Sequence, residues 1–315
     1  MTASVPIIGN HPALLAVLEK ATRLASIPRP VLVRGERGTG KELVARHIHC
    51  AGTRAKGPFV TINCGAFGGD LLRSELFGHE RGAFTGASER RIGKLEEADG
   101  GTLFLDEIGN MSMEFQEKVL RVVEYQQFER TGGSASIQVD VRIVAATNAD
   151  LEGMVAANEF RADLYDRLRF AELNLPPLRE RRSDIPAIIT HIARALATEM
   201  PGMDWRPFSA DALGDLMRYY WPGNIRQLKN VIEHVYIMGD GTEDEIQPNE
   251  LPREITAVEP IGDTFDDLVT AFERSLILDA LKNCRDNQKA AAESLALTYD
   301  RFRHYYRKLD IKSYR

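Results

Sequence analysis

The stretch VLVRGERGTGKE, residues 31–42, decides the fold class. Val31 to Arg34 form a short apolar run of the kind that makes a buried strand. Gly35, Glu36, Arg37, Gly38, Thr39, Gly40 and Lys41 follow in the pattern GxxxxGK, and a helical pattern begins at Lys41. Backbone N–H groups at a helix start cradle phosphates, and a lysine there reaches the β- and γ-phosphates. Composition alone would produce roughly 0.06 such matches in a chain of this make-up. The residue after the lysine is Glu42 where the pattern expects Ser or Thr, which leaves open the group that completes a magnesium shell.

Outward from this loop, apolar runs at 59–63 (FVTIN), 102–105 (TLFL), 141–146 (VRIVAA) and 171–175 (AELNL) read as further buried strands. Helical patterns separate them, among them Lys41–His49, Ser112–Tyr125 and Arg161–Arg169. Strands alternating with helices predict an α/β layer with a five-stranded parallel sheet, occupying residues 1–175. Residues 176–239 read as a helical subdomain, with Ser209 and Asp211 as cap candidates and Trp221-Pro222-Gly223 as a turn. Residues 240–262 read as an acidic, proline-bearing linker and 263–315 as an all-α end.

Asp106 and Glu107 close the apolar strand GTLFLDE and face the crevice that holds the phosphate loop. Phosphoryl chemistry needs one carboxylate for Mg²⁺ and one to orient the attacking water, and these roles fall to Asp106 and Glu107 respectively. Thr147 and Asn148 end the next strand and suit a polar sensor of the γ-phosphate.

The 315 residues carry 43% hydrophobic and 27% charged side chains, ordinary for a globular protein with two or three domains. The N-terminus lacks a basic segment followed by a long apolar run, and no stretch approaches 18 apolar residues, so neither a signal peptide nor a membrane span is expected. Cys50, Cys64 and Cys284 have no metal-ligand spacing and read as reduced thiols of a cytoplasmic protein. The net charge of −6 hides an asymmetry: −9 over Asp240–Asp267 and +4 over Arg285–Arg315. A small basic module behind an acidic spacer suggests a confined nucleic-acid site.

Between the phosphate loop and the acidic strand lies Gly82-Ala83-Phe84-Thr85-Gly86-Ala87. Glycines at both ends set an apolar ring and a hydroxyl at the tip of a loop, a poor core segment. In this position the hexapeptide resembles the signature loop of the sigma-54-dependent transcriptional activators, the bacterial enhancer-binding proteins of the AAA+ ATPase class. These proteins typically carry Glu or Asp where Glu42 stands. The resemblance implies that residues 82–87 contact the sigma factor, that ATP and Mg²⁺ are used, and that subunits assemble, as a hexameric ring when active and a dimer when not. It implies that Asn63, at the end of FVTIN, holds Glu107 in an unproductive pose. Arg161 and Arg167 in EFRADLYDRL would act as arginine fingers on a neighbour's γ-phosphate, although Asp163 stands four residues before Arg167 and could pair with it. Arg226 in WPGNIRQL would be the sensor arginine that reaches from the lid to the nucleotide.

Residues 287–309, NQKAAAESLALTYDRFRHYYRKL, read as helix-turn-helix, with Ala290, Ala291 and Leu295 packing the first helix and Thr298 capping the second. Tyr299, Arg301, Arg303, His304, Arg307 and Lys308 would then meet phosphates and base edges. The segment resembles the Fis-type module of the same activators, with Ala296 where they usually have Gly. A preceding apolar stripe, Phe265, Leu268, Phe272, Leu276 and Ala280, suits dimer contacts. The expected partners are sigma-54 RNA polymerase holoenzyme, upstream enhancer DNA and further copies of the chain. The ATPase begins near residue 1, with no room for a receiver or ligand-sensing domain, so control is expected from a separate regulatory protein or from expression level. Two other functions fit parts of the sequence: a nucleic-acid-gripping motor, disfavoured by a loop without Lys or Arg, and a repressor that uses ATP only to set its oligomeric state.

Overall fold

The computed structural model describes residues 6–66, 69–84, 87–200, 206–239 and 244–256, and 273–311 except 275, 279, 283, 285, 286, 296 and 310. Thr85, Gly86, Ala296 and the stripe residues Phe265, Leu268 and Phe272 lie outside the described residues. The chain divides into two compact units, Met1–Trp205 with Tyr220–Met238, and Arg206–Tyr219 with Gly239–Arg315.

The first unit opens with α1 (Pro12–Ala25), whose start is set by Pro12 at its first position and by His11, which accepts from the Ala13 amide. β1 (Val31–Arg34), α2 (Lys41–Cys50), β2 (Phe59–Asn63), α3 (Gly69–Phe77), α4 (Lys94–Glu97) and β3 (Thr102–Asp106) follow. Then come α5 (Met113–Tyr125), a hairpin of β4 (Gln127–Glu129) and β5 (Ser136–Gln138), β6 (Arg142–Thr147), α6 (Leu151–Ala156), α7 (Ala162–Leu168) and β7 (Ala171–Asn174). Two helices complete the unit, α8 (Ile185–Glu199) and α10 (Asn224–Met238); α9 (Ala210–Arg218) between them belongs to the second unit.

The main sheet has the order β2-β3-β6-β1-β7, parallel throughout, as the alternating pattern predicts. Its centre is covered on both faces, which is why β6 is buried at every position and reads as a continuous apolar run over 143–146. Side chains alternate between two cores: Leu32, Leu103, Leu105, Ile143 and Ala145 enter one, and Val31, Val33, Phe104, Val144 and Ala146 the other. The first core is shared with α5 and α7 through Phe115, Val119, Leu164 and Leu168. Each such side chain, fully buried, contributes about 1.5–3 kcal/mol. The hairpin is absent from the sequence reading because its strands are three residues long and bury only Phe128 well.

An ion network ties α6 and α7 to the strand that feeds the phosphate loop. Arg34 donates both terminal nitrogens to Glu152, at 3.0 and 2.8 Å, and the Tyr165 hydroxyl donates to the same carboxylate. Arg34 and then Tyr165 hold Glu152 at about 2, well below its ordinary 4.5. A depressed carboxylate stabilises the fold above its unfolded value, and that contribution fades as pH falls from 4.5 towards 2. Glu152→Gln is therefore expected to melt below the parent at pH 7, with the gap closing as pH is lowered from 5 to 3 in paired thermal scans.

In the second unit, Ser209 caps α9 by accepting from the Ala212 amide, and Phe208 bridges to Ile246. The segment read as a linker carries structure over 244–256: a 3₁₀ turn at Pro248–Glu250 and the short helix α11 (Arg253–Thr256), with Ile246, Leu251 and Ile255 buried. Its acids mask three well-spaced apolar residues. The helices α12 (Gln288–Ser294) and α13 (Tyr299–Lys308) pack through Ala291, Ala292 and Phe302 onto Ile277, Ala280 and Leu281. Two expectations are thereby corrected. Ala292 rather than Ala290 faces this core, and Ala280 faces inward rather than toward a dimer partner; Leu276 remains exposed.

Candidate functional site

Strand register brings the polar residues at the strand ends to one edge of the sheet. Arg34, just before Gly35, lies opposite Thr147, and Asn63 lies opposite Asp106. The Gly35 amide donates to Thr147 O at 3.2 Å, so the phosphate loop leaves β1 attached to the end of β6. Gly40 precedes α2 with φ +100°, a left-handed turn that suits glycine. Lys41 is buried, and its Nζ donates to Gly35 O (2.9 Å) and Glu36 O (3.1 Å). Burial pulls the Lys41 ammonium down, opposed by Asp106 and Glu107 and reinforced by Arg226 and Arg37. Burial likewise pushes the Asp106 carboxyl up, opposed first by Lys41. Behind the pair, burial and the same two carboxylates push the Cys64 thiol far up, which leaves it inert.

Glu107 sits at φ +55°, the residue on which strand β3 turns into a 3₁₀ segment. Its carboxylate accepts from Asn110 Nδ2 at 3.2 Å and lies 3.5 Å from Arg37 Nε. Asn63 does not hold it: Asn63 Oδ1 accepts from the Gly65 amide at 2.7 Å, closing an Asx turn of its own. Gly65 is nonetheless part of the site, since a Cβ there would lie 2.6 Å from Glu107 Oε2. Glu42 is likewise engaged elsewhere, accepting from Arg46 on the next turn of α2 at 3.0 and 2.8 Å. Thr147 Oγ1 accepts from the Ala149 amide, and Asn148 is exposed at the strand end.

Several residues that the sequence reading passed over complete the loop's surroundings. Asn224, fully buried at φ +52°, accepts from the Leu178 amide (2.7 Å) and donates to Glu36 Oε2 (3.0 Å) and Arg37 O (3.1 Å). The Ile225 amide donates to Gly38 O at 3.0 Å. Arg179 grips Glu36 with two bonds of 2.9 and 2.6 Å, and Arg181, 1% exposed, donates to Thr39 O. Arg226 stands exposed on the same turn, beside Gly38. Beside the loop lies a cavity of about 310 Å³ lined by Ile7, Ile8, Leu43, Ile188, Ile192 and Arg181, whose Nε has no hydrogen-bond partner among the described residues. The run WPGN carries the one available sequence signal for the docked turn.

Arg161 and Arg167 stand apart from this cluster. Arg161 pairs with Asp163 at 3.1 and 2.8 Å, and Arg167 pairs with Glu124 of α5 at 2.9 Å. The Asp163–Arg167 pairing considered from spacing therefore does not form, because Arg161, at the helix cap, reaches Asp163 first. No hydrogen bond or ion pair of either arginine among the described residues reaches the phosphate loop of its own chain.

In the 82–87 loop, Gly82 N and Ala87 O close the base at 2.8 Å and Phe84 is 46% exposed. Rather than standing free, the ring meets the edge of His79 at 5.0 Å. The β4–β5 connection supports the loop, with Glu80 N donating to Thr131 O, and Arg130 bridging Glu80 (2.8 Å) and Glu96 (2.9 Å). In the second unit, Thr298 caps α13, accepting from the Arg301 amide. Arg301, Arg303, His304, Arg307 and Lys308 are exposed along α13, with Tyr299 at its start and Lys308 3.4 Å from Glu273.

Many folds carry a glycine-rich phosphate loop; the helical turn seated on this one lies in a segment that matches the AAA+ lid domain, which places this chain among the AAA+ ATPases. Residues 7–174 match the sigma-54 interaction domain and residues 179–266 the AAA+ ATPase lid domain. The chain belongs to the family of sigma-54-dependent transcriptional activators. It is 46% identical to the Psp operon transcriptional activator of Escherichia coli K12, over 97% of this chain and 98% of that protein. It is 42% identical to the response regulator protein PilR of Pseudomonas aeruginosa, over 97% of this chain and 70% of that one. The structure of NtrX from Brucella abortus in complex with ATP superposes with a TM-score of 0.73 at 35% identity, covering 97% of this chain and 69% of NtrX. The protein is an ATPase that activates sigma-54-dependent transcription. Among the described residues no helix is long and apolar enough to cross a membrane.

Proposed function

We propose that this protein binds upstream enhancer DNA through α13 and assembles, in the cytoplasm, into a hexameric ring from an inactive dimer. The ring couples ATP hydrolysis to conversion of the sigma-54 polymerase closed complex into the open one. A separate protein regulates it. The observation that carries this reading is the shared framework of β3: its end displays Asp106 and Glu107, while α3 and α4, packed against the same core, bracket the Phe84 loop. The phosphate loop, residues 35–42, cradles the triphosphate, the apolar cavity takes the base, and Arg226 closes over the phosphates. Asp106 suits Mg²⁺: it is a hard oxygen donor whose burial disfavours the bare carboxylate, a penalty that a cation removes. When bound, Mg²⁺ supplies charge neutralisation on the phosphate oxygens. Glu107 orients the attacking water, Thr147 and Asn148 sense the terminal phosphate, and Arg161 and Arg167 neutralise charge on the neighbour's nucleotide. The loop needs only different affinities for the sigma factor in the different nucleotide states.

Phe84→Ala and Thr85→Ala are expected to hydrolyse ATP at the parental rate and to yield no transcript from a sigma-54 promoter in a reconstituted assay. Parental transcript levels from both variants would sink the loop assignment.

A further inference from the structure

One polar side chain in the first core has no part in the roles above. Gln116, in the first turn and a half of α5, is fully buried, and its chain neighbour Phe115, Val119 of the same helix, and Phe160 and Leu164 at the start of α7 belong to the first core. Burying an amide in an apolar core is costly unless each of its polar groups finds a partner. This one does. Nε2 donates to Met111 O at 2.9 Å and to Glu159 O at 3.1 Å, and Oε1 accepts from the Arg161 amide at 2.8 Å.

The three partners belong to two places. Met111 ends the 3₁₀ segment that begins at Glu107, and Glu159 and Arg161 flank Phe160 in the approach to α7. Arg161 is the cap residue of α7, has no side-chain cap, and its amide finds no backbone acceptor among the described residues. The amide of Gln116 thus holds the backbone at the residue that caps the finger helix. It also ties that start to the turn that presents the water-orienting carboxylate. The two ends serve different nucleotides if Arg161 acts across a subunit boundary.

We infer that Gln116 is a positioning residue: it sets the pose of Arg161 for the neighbouring subunit's ATP and links it to the Glu107 turn of its own. This rests on the reading of Arg161 as a finger acting in trans. Glu107 is anchored independently by β3 and by Asn110, whereas among the described residues Gln116 is the acceptor for the Arg161 amide. Loss of the amide therefore damages finger donation more than it damages the chain's own site.

A subunit-mixing experiment on the full chain tests this. Lys41→Ala subunits lack a working nucleotide site and keep both fingers; Arg161→Ala subunits keep the site and lack the Arg161 finger. Mixed, they are expected to hydrolyse ATP that neither hydrolyses alone. Adding Gln116→Met to the Lys41→Ala donor is expected to lower this rate by about tenfold or more, and adding it to the Arg161→Ala acceptor to change it by less than about threefold, since a misplaced group far from the chemistry costs up to about 10²-fold. An undiminished donor-side rate, or equal losses on both sides, would overturn the role of Gln116. An inactive mixture with Gln116 intact in both would instead overturn the trans-acting finger. Should Gln116→Met not fold, hydrogen exchange on the parent decides: the Arg161 amide is expected to be as protected as the interior amides of α7, and rapid exchange there would overturn the inference.

Discussion

Glu107→Gln is expected to bind ATP as tightly as the parent and to hydrolyse it at about 10²- to 10⁴-fold lower rate. The substitution keeps the shape of the side chain, its left-handed backbone and its approach to Asn110 and Arg37. It removes the negative charge that, in the proposed role, polarises water. In the proposed site nucleotide affinity rests on other groups: the amides of the phosphate loop, Lys41 and the docked 221–226 turn, none of which contacts the Glu107 carboxylate among the described residues apart from Arg37. Equilibrium binding of ATP beside steady-state phosphate release separates the two quantities. Turnover within about tenfold of the parent would place the water-orienting role elsewhere.

The carboxylate's neighbours show where sequence reasoning reaches its limit. Strands were legible because central parallel strands are apolar on both faces, and their ends locate Asp106, Glu107 and Thr147 without further information. The phosphate loop was legible because its glycines and lysine are demanded by one geometry. Which group holds Glu107 was not, because that depends on which way two asparagines turn. Asn63 spends its oxygen on the Gly65 amide, and Asn110, three residues past Glu107 on a 3₁₀ turn, comes back to it. Residues 244–256 were misread for a related reason. Charge dominates their composition, while three buried apolar side chains, Ile246, Leu251 and Ile255, decide their structure. Gln116 and Asn224 left little trace, since a buried amide differs from an exposed one only in its partners, and those lie 43 and more residues away in most of their bonds.

The contact between Asn224's turn and the phosphate loop also carries the second large effect. Gly38→Ala is expected to weaken ATP binding by about a hundredfold and to lower the melting temperature without nucleotide. Gly38 lies at φ +78°, where a side chain costs about 1–2 kcal/mol. Strain is the smaller part. A Cβ at this position would fall 2.3 Å from Gly223 O and 3.1 Å from Arg226 Cβ, so the turn must retreat, and overpacking of this kind costs about 1–3 kcal/mol. Its retreat breaks the Ile225–Gly38 bond and carries Arg226 away from the loop on which its proposed role as sensor depends. Gly82→Ala supplies the control, because Gly82 has nearly the same φ, +81°, and a Cβ there meets nothing within 4 Å among the described residues. That variant bears the strain alone and should melt within a few degrees of the parent with unchanged ATP affinity. If calorimetry gave the two variants the same affinity for ATP, backbone strain would be the whole effect and the lid turn would have no hold on the nucleotide.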